Sequence, residues 1–428
     1  MLGFASITLV SCGEDEPCDG KTCAAGEVLD ALTCNCVSTL PCSGKTCAAN
    51  EILNATTCQC VSSQACAGKT CGANEFLDAA DCNCKPIVVN INMEVTQNIS
   101  ANTTWTSDKV WILKNRVTVL SGAMLTIQPG TIIKGEAGAG ANATALLIAR
   151  GAQLKAEGTA ALPIIFTSVA DEISPADVKA GNYASPNLDP TVNGLWGGVI
   201  ILGNAKISAS NAGADVNQVQ IEGIPTSDQN GLYGGTNDAD NSGIIKYISI
   251  RHGGTNIGNG NEINGLTLGG VGSGTVIENV EIVSNQDDGI EWFGGTVNVK
   301  NAIVWNVGDD GIDTDQSWSG TLENFVVITP TGHCFELDGP EGSFMAGHNI
   351  QKGTIIASSS SRVSEDLINV DANSIVNLKD IYFSGIAPNQ KINRVTAAGV
   401  TFEGIILDVP QDSLASHVNG TVPAGVTI

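Results

Sequence analysis

The chain has 428 residues, of which 42% are hydrophobic, only 4% are aromatic and only 15% are charged, and it contains 50 glycines. Asp and Glu outnumber Lys and Arg by 44 to 20, giving a formal net charge of -24, which excludes a nucleic-acid-binding protein and a protein held on an anionic bilayer by charge. Frequent Val, Ile, Thr and Gly favour an all-β fold with many turns.

Residues 1–12 have the sequence MLGFASITLVSC, an apolar or small-residue segment that is too short to span a bilayer as a helix. The segment resembles a bacterial lipoprotein signal, because LVSC matches the lipobox. The resemblance implies lipidation of Cys12, and therefore an exported protein anchored to lipid of the outer membrane. The acidic run Gly13–Glu16 resembles a surface-export signal of Bacteroidetes lipoproteins, which implies that the protein faces outward. The alternative is an apolar terminus with a chance cysteine.

Residues 13–86 contain three cysteine-rich repeats with a period of 24 residues. Each repeat is too small to bury a core, so we expect disulfides to hold it as a stiff stalk. Cys34 and Cys36 are poorly placed to bridge each other, so Cys18 and Cys23 should each pair with one of them, and both such pairings remain open. Cys12 and Cys334 should remain unpaired. Zinc is the alternative, which the absence of histidine from these repeats disfavours. The repeated cysteines are Cys18, Cys23, Cys34, Cys36, Cys42, Cys47, Cys58, Cys60, Cys66, Cys71, Cys82 and Cys84.

Residues 87–428 consist of short β-type runs separated by Gly, Asn and Asp. Four-residue segments that begin at Asn264, Asp288, Asp310 and His333 align in steps of 24, 22 and 23 residues. A period near 22 with several short strands predicts a right-handed parallel β-helix, a solenoid fold, whereas a propeller blade needs about 40 residues.

The alignment also predicts which side chains stack from coil to coil. Because side chains alternate along a strand, one column should lie inside the solenoid and its neighbours outside. The inner column is Leu266, Ile290, Ile312 and Phe335, and the outer column is Thr267, Glu291, Asp313 and Glu336. The tryptophans Trp196, Trp292, Trp305 and Trp318 could line a sugar-binding face, but we expect at least half of them to pack in the core.

Several segments, among them LTIQPGTIIKG, WGGVIILGNAKIS and EWFGGTVNVKN, resemble a group of Bacteroidetes β-helix surface proteins over roughly residues 100–330. The resemblance implies the β-helix fold and an exported location. It implies no particular activity, because most of that group has no assigned function.

Asp238, Asp240 and Ser242 form the pattern D-x-D-x-S-G. Oxygen ligands at alternate positions, closed by Gly, are one way for a loop to hold Ca²⁺, although the glutamate of an EF-hand is missing. We therefore predict a calcium site here. The alternative is an Asx-rich turn between coils.

Asp287, Asp309, Asp310 and His333 lie on three successive periods, so they should cluster where coils stack about 4.8 Å apart. The order N-x-D, D-D and G-H resembles polygalacturonases. The resemblance implies that Asp310 is the general acid, that Asp287 and Asp309 activate water, and that His333 supports them. Cys334 follows His333 where that family has Gly, and no clear R-x-K follows. The text D-D-G-I also occurs twice, as a structural turn would.

Two classes of function follow from the sequence. The first is a non-catalytic surface protein that binds polysaccharide or another partner through a calcium-loaded acidic face. The second is a β-helix glycosidase or a lyase, for which Lys246, Arg251 or Lys300 could supply a base. The incomplete enzyme motifs favour the first.

Overall fold

The computed structural model describes residues 27–30, 35–38, 46–47, 51–53, 59–62, 70–72, 75–78, 83–86, 91–256 and 263–428. The chain divides into two compact units, residues 1–91 and 92–428. Cys12 and the predicted domain boundary near residue 87 lie outside the described residues. Among the residues that are described, helices of the length and hydropathy needed to cross a membrane are not found.

In the first unit, each cysteine-rich repeat contributes an antiparallel hairpin. The paired strands are β1 (Glu27–Asp30) with β2 (Asn35–Ser38), β3 (Glu51–Leu53) with β4 (Cys60–Ser62), and β5 (Glu75–Asp78) with β6 (Asn83–Pro86). Disulfides join Cys47 to Cys60 and Cys71 to Cys84. Each joins the second and fourth cysteines of its repeat, which confirms pairing within the repeat for these two bonds and selects one of the two open arrangements in the second and third repeats. Cys334 is free and buried, as predicted.

The strands of the second unit are β7 (Asn92–Val95), β8 (Thr103–Trp105), β9 (Val110–Leu113), β10 (Arg116–Val119), β11 (Met124–Ile127), β12 (Ile132–Gly135), β13 (Ala145–Ile148), β14 (Gln153–Glu157), β15 (Ile164–Ser168), β16 (Val199–Leu202), β17 (Ala209–Asn211), β18 (Ala214–Val216), β19 (Val219–Gln220), β20 (Leu232–Tyr233), β21 (Gly243–Arg251), β22 (Leu266–Gly269), β23 (Val276–Val283), β24 (Ile290–Phe293), β25 (Asn298–Trp305), β26 (Ile312–Asp315), β27 (Thr321–Ile328), β28 (Phe335–Leu337), β29 (His348–Ile356), β30 (Ile368–Val370), β31 (Ile375–Ser384), β32 (Gly399–Leu407) and β33 (Val426–Thr427). The helical elements are α1 (Pro175–Lys179) and the 3-10 helices Gly140–Asn142, Gln229–Gly231 and Leu414–His417.

Two parallel sheets form the wall of a solenoid. The short-strand sheet has the order β10-β13-β16-β22-β24-β26-β28-β30. The long-strand sheet has the order β7-β9-β12-β15-β21-β23-β25-β27-β29-β31-β32-β33, with β8, β11 and β14 alongside. Consecutive strands alternate between the two sheets from β21 to β31, and each pairs in parallel with the strand one coil away. The predicted parallel β-helix is therefore confirmed.

The predicted inner column is confirmed. Leu266, Ile290, Ile312 and Phe335 are paired in register on β22, β24, β26 and β28, and each is 0% exposed. Trp196, Trp292 and Trp318 are also buried, so packing in the core is confirmed for three of the four tryptophans. The ring centroids of Trp292 and Trp318 lie 4.6 Å apart, and the His348 ring continues this stack.

The long strands bend at residues with a left-handed backbone, and Asn occupies three successive bends. Asn279, Asn301 and Asn324 have φ values of 58°, 59° and 58°. The Asn301 amide donates to Asn279 Oδ1 at 2.9 Å, and the Asn324 amide donates to Asn301 Oδ1 at 2.6 Å. Asn tolerates this conformation better than most residues, so the repeated Asn supplies both the bend and a ladder between coils.

Residues 203–242 leave the coil between β16 and β21 and form an excursion over the outer side of the short-strand sheet. Here a second apolar cluster joins Leu147, Ile200 and Leu202 of the sheet to Ile207 and Tyr233 of the excursion. The excursion therefore gives β13 and β16 apolar neighbours on both faces. From β24 onward the outer residues are mainly acidic, and this change positions the candidate site.

Candidate functional site

The acidic face lies on the outer side of the short-strand sheet from β24 to β28. It also includes the acidic residues that come just before or after these strands. The outer column places Thr267, Glu291, Asp313 and Glu336 opposite one another on successive strands, as predicted. Because neighbouring parallel strands lie about 4.8 Å apart, their carboxylates must be neighbours. The members of the acidic face are Asp288, Glu291, Asp310, Asp313, Asp315, Glu336 and Asp338.

The repeated D-D-G-I text has a packing role that explains part of its recurrence. A Cβ atom on Gly289 would lie 2.3 Å from Val304 Cγ1 and 2.5 Å from the backbone oxygen of Gly311. A side chain at that position would collide with the adjacent strand and coil. The glycine lets the turn close tightly, and the strand after it then presents Glu291 or Asp313 outward.

Buried Asp310 and partly buried His333 form a pair between successive coils. His333 Nδ1 lies 3.1 Å from Asp310 Oδ1, and the His333 backbone N–H donates to the same oxygen. Burial opposes ionisation of Asp310, but hydrogen bonds from His333 and Glu336 outweigh it and lower the pKa of Asp310. Burial likewise opposes the charge on His333, but Asp310 raises the pKa of His333 to about 9. Burial and the hydrogen bond to Asp310 raise the pKa of Glu336 to about 8. Asp310 is therefore an ionised carboxylate held between an imidazolium and a carboxylic acid.

Asp287 and Asp309 lie beside this pair in a second group. Their carboxylate oxygens and those of Asp288 lie within 4.8 Å of one another. Asp309 is exposed, Asp287 is half-buried and Asp288 is buried. The four residues predicted from the polygalacturonase-like order therefore divide into two neighbouring groups, with Asp288 next to both. The Asp310 backbone N–H donates to Asp288 Oδ1 at 2.9 Å, which ties these turns together.

A third group, which we call the acidic triad, consists of Asp288, Glu291 and Asp313. Their carboxylate oxygens also lie within 4.8 Å of one another. Burial raises the pKa of all three well above the ordinary range, and the neighbouring carboxylates raise it further. Glu291 lies on the outer side of its strand, yet it is only 7% exposed. Three buried like charges are unstable unless a proton or a cation compensates them.

One enclosed oxygen of the acidic triad and one of the neighbouring Asn264 lack a partner. Among the described residues, Asn264 Oδ1 and Asp313 Oδ1 are inaccessible to solvent and have no hydrogen-bond partner. Asn264 is 5% exposed, and its amide nitrogen donates to Glu291 Oε2, which places the amide against the triad. The three carboxylates form an all-oxygen donor set, which Ca²⁺ prefers and which suits zinc poorly. The residues present therefore fit a hard divalent cation.

The predicted calcium loop has a different geometry. Asp238 Oδ1 accepts from the Lys206 backbone N–H at 3.0 Å, and Asp238 Oδ2 lies 3.5 Å from Lys206 Nζ. Asp240 accepts from the Asn204 amide at 3.1 Å and from the Ser242 hydroxyl at 3.4 Å. These contacts are those of a turn fastened by its own side chains. Calcium binding at this loop stays a prediction.

The basic residues considered for a lyase lie on the long-strand sheet. Lys246 pairs with Glu278 at 3.0 Å, Arg251 with Glu281 at 3.3 Å and Lys300 with Glu323 at 3.8 Å. Each belongs to a strand of that sheet and already has a carboxylate partner, so these residues do not belong to the acidic face.

Sequence reasoning did not identify Asp288, Glu291, Asp313 and Asn264 as a site. The signal was present, because the same alignment that predicted the outer column puts Glu291 beside Asp313. The burial of these residues was not visible, because it depends on segments before β22 and on the stacking of turns.

A family model described as a pectate-lyase-like beta helix domain matches residues 97–181 and 184–415. These two ranges include the acidic face and most of the solenoid. No curated protein and no solved structure matches the chain.

Proposed function

Because the chain belongs to the family of pectate-lyase-like β-helix domains, we propose that it binds an acidic polysaccharide outside the cell, without cleaving it, through a divalent cation on its acidic face. The family fits a protein concerned with extracellular polysaccharide. The bound cation, the acidic nature of the ligand and the absence of cleavage are proposed here in addition.

The acidic triad carries this proposal. Asp288, Glu291 and Asp313 are crowded and desolvated, and the charges that act on them most strongly are those of other carboxylates. A calcium ion bound by these three carboxylates would supply the missing positive charge. The partner-free Oδ1 of Asp313 is an atom that such an ion would satisfy. A cation with remaining coordination positions can also accept carboxylates from a polyuronate chain.

The state of Asp310 supports binding over hydrolysis. A general acid must carry a proton at the working pH. The pKa of Asp310 is lowered, so its carboxyl group is ionised at neutral pH. Its partners His333 and Glu336 hold it within the wall of the solenoid.

Binding of calcium-loaded protein to polygalacturonate, with and without chelator, tests this proposal. Wild-type protein should bind only with calcium, and Asp313→Asn should lose that binding. Glu403→Gln removes an exposed carboxylate from the long-strand sheet and serves as the matched control. Equal binding of wild type and Asp313→Asn, or binding that survives the chelator, would show that the acidic triad is not the site.

Polysaccharide cleavage is the second candidate, and one observation favours it. Burial raises the pKa of Glu336 to about 8, so a protonated acid stands beside ionised Asp310 at neutral pH. Release of reducing ends, or of unsaturated products, from polygalacturonate by wild type and its loss in Glu336→Gln would establish catalysis and overturn the binding-only proposal.

We also propose that Cys12 carries a lipid anchor that holds the chain at the outer membrane, facing outward. The LVSC text and the acidic run after it support this proposal. Cys12→Ala should move the protein from the membrane fraction to the soluble fraction. Retention in the membrane fraction would count against the anchor.

A further inference from the structure

A cleft opens between the excursion and the turn that follows β28. Its volume is ≈ 710 Å³, within the range of about 300–1,000 Å³ that is typical of ligand sites. We call it the Phe344 cleft. The residues of its lining that matter here are Lys206, Ser208, Asp215, Asn217, Ser343 and Phe344.

Phe344 presents an aromatic ring to solvent beside this cleft. The Phe344 side chain is 36% exposed, and its neighbour Met345 is 61% exposed. Hydrogen bonds hold the backbone on both sides of the ring: the Ser317 hydroxyl donates to the Phe344 oxygen at 3.1 Å, and the Ser343 N–H donates to Asp215 at 2.8 Å. The backbone that carries the ring is therefore held in place, which lowers the entropy cost of binding a ligand.

Lys206 places a positive charge over one face of the ring. Its Nζ atom lies 5.7 Å from the centroid of the Phe344 ring. Its acidic neighbour, Asp238, lies 3.5 Å away, and both side chains are nearly half exposed. An exposed pair of this kind contributes little stability, so the ammonium group is available to an anionic ligand.

The cleft and the acidic face share a wall. The Ser208 N–H donates to the Gln316 backbone oxygen at 2.9 Å, and the Gln316 amide donates to Glu341 at 3.0 Å. Gln316 directly follows Asp315 of the acidic face. Hydrogen bonds therefore hold the cleft at a fixed position next to the acidic face.

We propose that the Phe344 cleft is a glycan subsite that binds one uronate residue. The C–H face of the sugar packs against the aromatic ring of Phe344, and the sugar carboxylate binds Lys206. This inference rests on the proposed function and extends it to a second contact with the same polysaccharide. The pairing is chemical: the C–H face of a sugar ring packs on an aromatic ring, and a carboxylate forms a charge-assisted hydrogen bond with an ammonium group. In the cleft the cation is Lys206, whereas on the acidic face it is a bound calcium ion. The two contacts with the polysaccharide can therefore be tested separately.

Titration of the calcium-loaded full chain with oligogalacturonate tests the subsite. Phe344→Ala and Lys206→Ala should each weaken binding about tenfold, as expected for loss of one good contact, and Lys206→Arg should retain most of the affinity. Calcium affinity should not change. Tyr382→Ala and Lys300→Ala are matched controls, because they remove an exposed aromatic ring and an exposed ammonium group from the long-strand sheet.

Wild-type affinity in both Phe344→Ala and Lys206→Ala would overturn the subsite, while calcium-dependent binding by wild type would leave the proposed function in place. Loss of calcium affinity in these variants would also overturn it, because the effect would then act through the acidic face. Absence of binding by wild type would overturn the proposed function and, with it, the subsite.

Discussion

His333 Nδ1 lies 3.1 Å from Oδ1 of Asp310, and the Asp310 side chain is only 4% exposed. The backbone N–H of His333 donates to the same oxygen, so one carboxylate joins two coils through both side chain and backbone. Asp310 is compensated by the charge of His333, whereas the neighbours of the acidic triad that act on it most strongly are other carboxylates.

Asp310→Asn should lower the free energy of unfolding by roughly 2 kcal/mol, because a buried charge-assisted hydrogen bond is lost. The pKa of His333 should fall from about 9 towards its ordinary value of 6.5. Urea unfolding and histidine NMR titration measure the two effects. Asp309→Asn, at the exposed neighbour, should change stability by less than about 0.5 kcal/mol. Equal losses in both variants would contradict a structural role specific to Asp310.

Calcium should raise the melting temperature of the wild-type protein, because a ligand of the native state stabilises it by about 2.7 kcal/mol at 100 times its Kd. Asp313→Asn should abolish this response. In metal-free protein the same variant should be more stable than wild type, since burial and the neighbouring carboxylates disfavour ionised Asp313 in the folded state and raise its pKa. Differential scanning calorimetry with calcium and with chelator measures both the loss of the calcium response and the higher stability of the metal-free variant.

Asp240→Asn separates the acidic triad from the calcium loop predicted at Asp238 and Asp240. If the acidic triad holds the ion, calcium should raise the melting temperature of Asp240→Asn as much as that of wild type. A rise in melting temperature that is lost in Asp240→Asn but kept in Asp313→Asn would assign the cation site to that loop.

His348 should make the protein less stable in acid. Burial against Trp318 lowers its pKa from 6.5 to about 3. Below pH 6.5 the unfolded chain binds a proton at His348 that the folded protein does not bind. The free energy of unfolding therefore decreases as the pH falls from 6.5 towards 3. The slope is at most about 1.4 kcal/mol per pH unit. Unfolding curves of wild type and His348→Gln at several pH values isolate this contribution, and parallel pH profiles would refute it.

Asn301→Ala should cost roughly 2 kcal/mol, because it removes the side-chain ladder and puts alanine at a φ of 59°. Asn301→Gly loses the same ladder but accepts the left-handed backbone, so it should cost less. Chemical denaturation compares the two. A glycine variant that is no more stable than the alanine variant would show that the backbone conformation is not what Asn supplies.

The first cysteine-rich repeat should contain a disulfide between Cys23 and Cys36. These are its second and fourth cysteines, which correspond to the bonded pairs Cys47–Cys60 and Cys71–Cys84. Proteolytic peptide mapping without reductant should recover this link. A Cys23–Cys34 link, or a link to another repeat, would contradict the equivalence of the repeats.

The sequence by itself determined the fold and the order of its columns. A period near 22 residues predicts a parallel solenoid, and parallel coils bring matched positions into register, so Ile290 stacks on Ile312 and Glu291 on Asp313 without further information. The cysteine spacing similarly limited the disulfides to pairs within each repeat. Local periodicity was sufficient because these contacts repeat with the chain.

Only the tertiary structure decided which columns are enclosed and which partners they meet. Glu291 is buried against Asn264, which precedes it by 27 residues, and Asp238 meets Lys206, which precedes it by 32 residues. Neither contact follows the period, because the excursion and the turns are the irregular parts of the coils. Charge compensation and solvent exposure depend on such irregular contacts. The same alternating pattern therefore produced a carboxylate paired with a cation at Asp310 and a carboxylate without such a partner at Asp313.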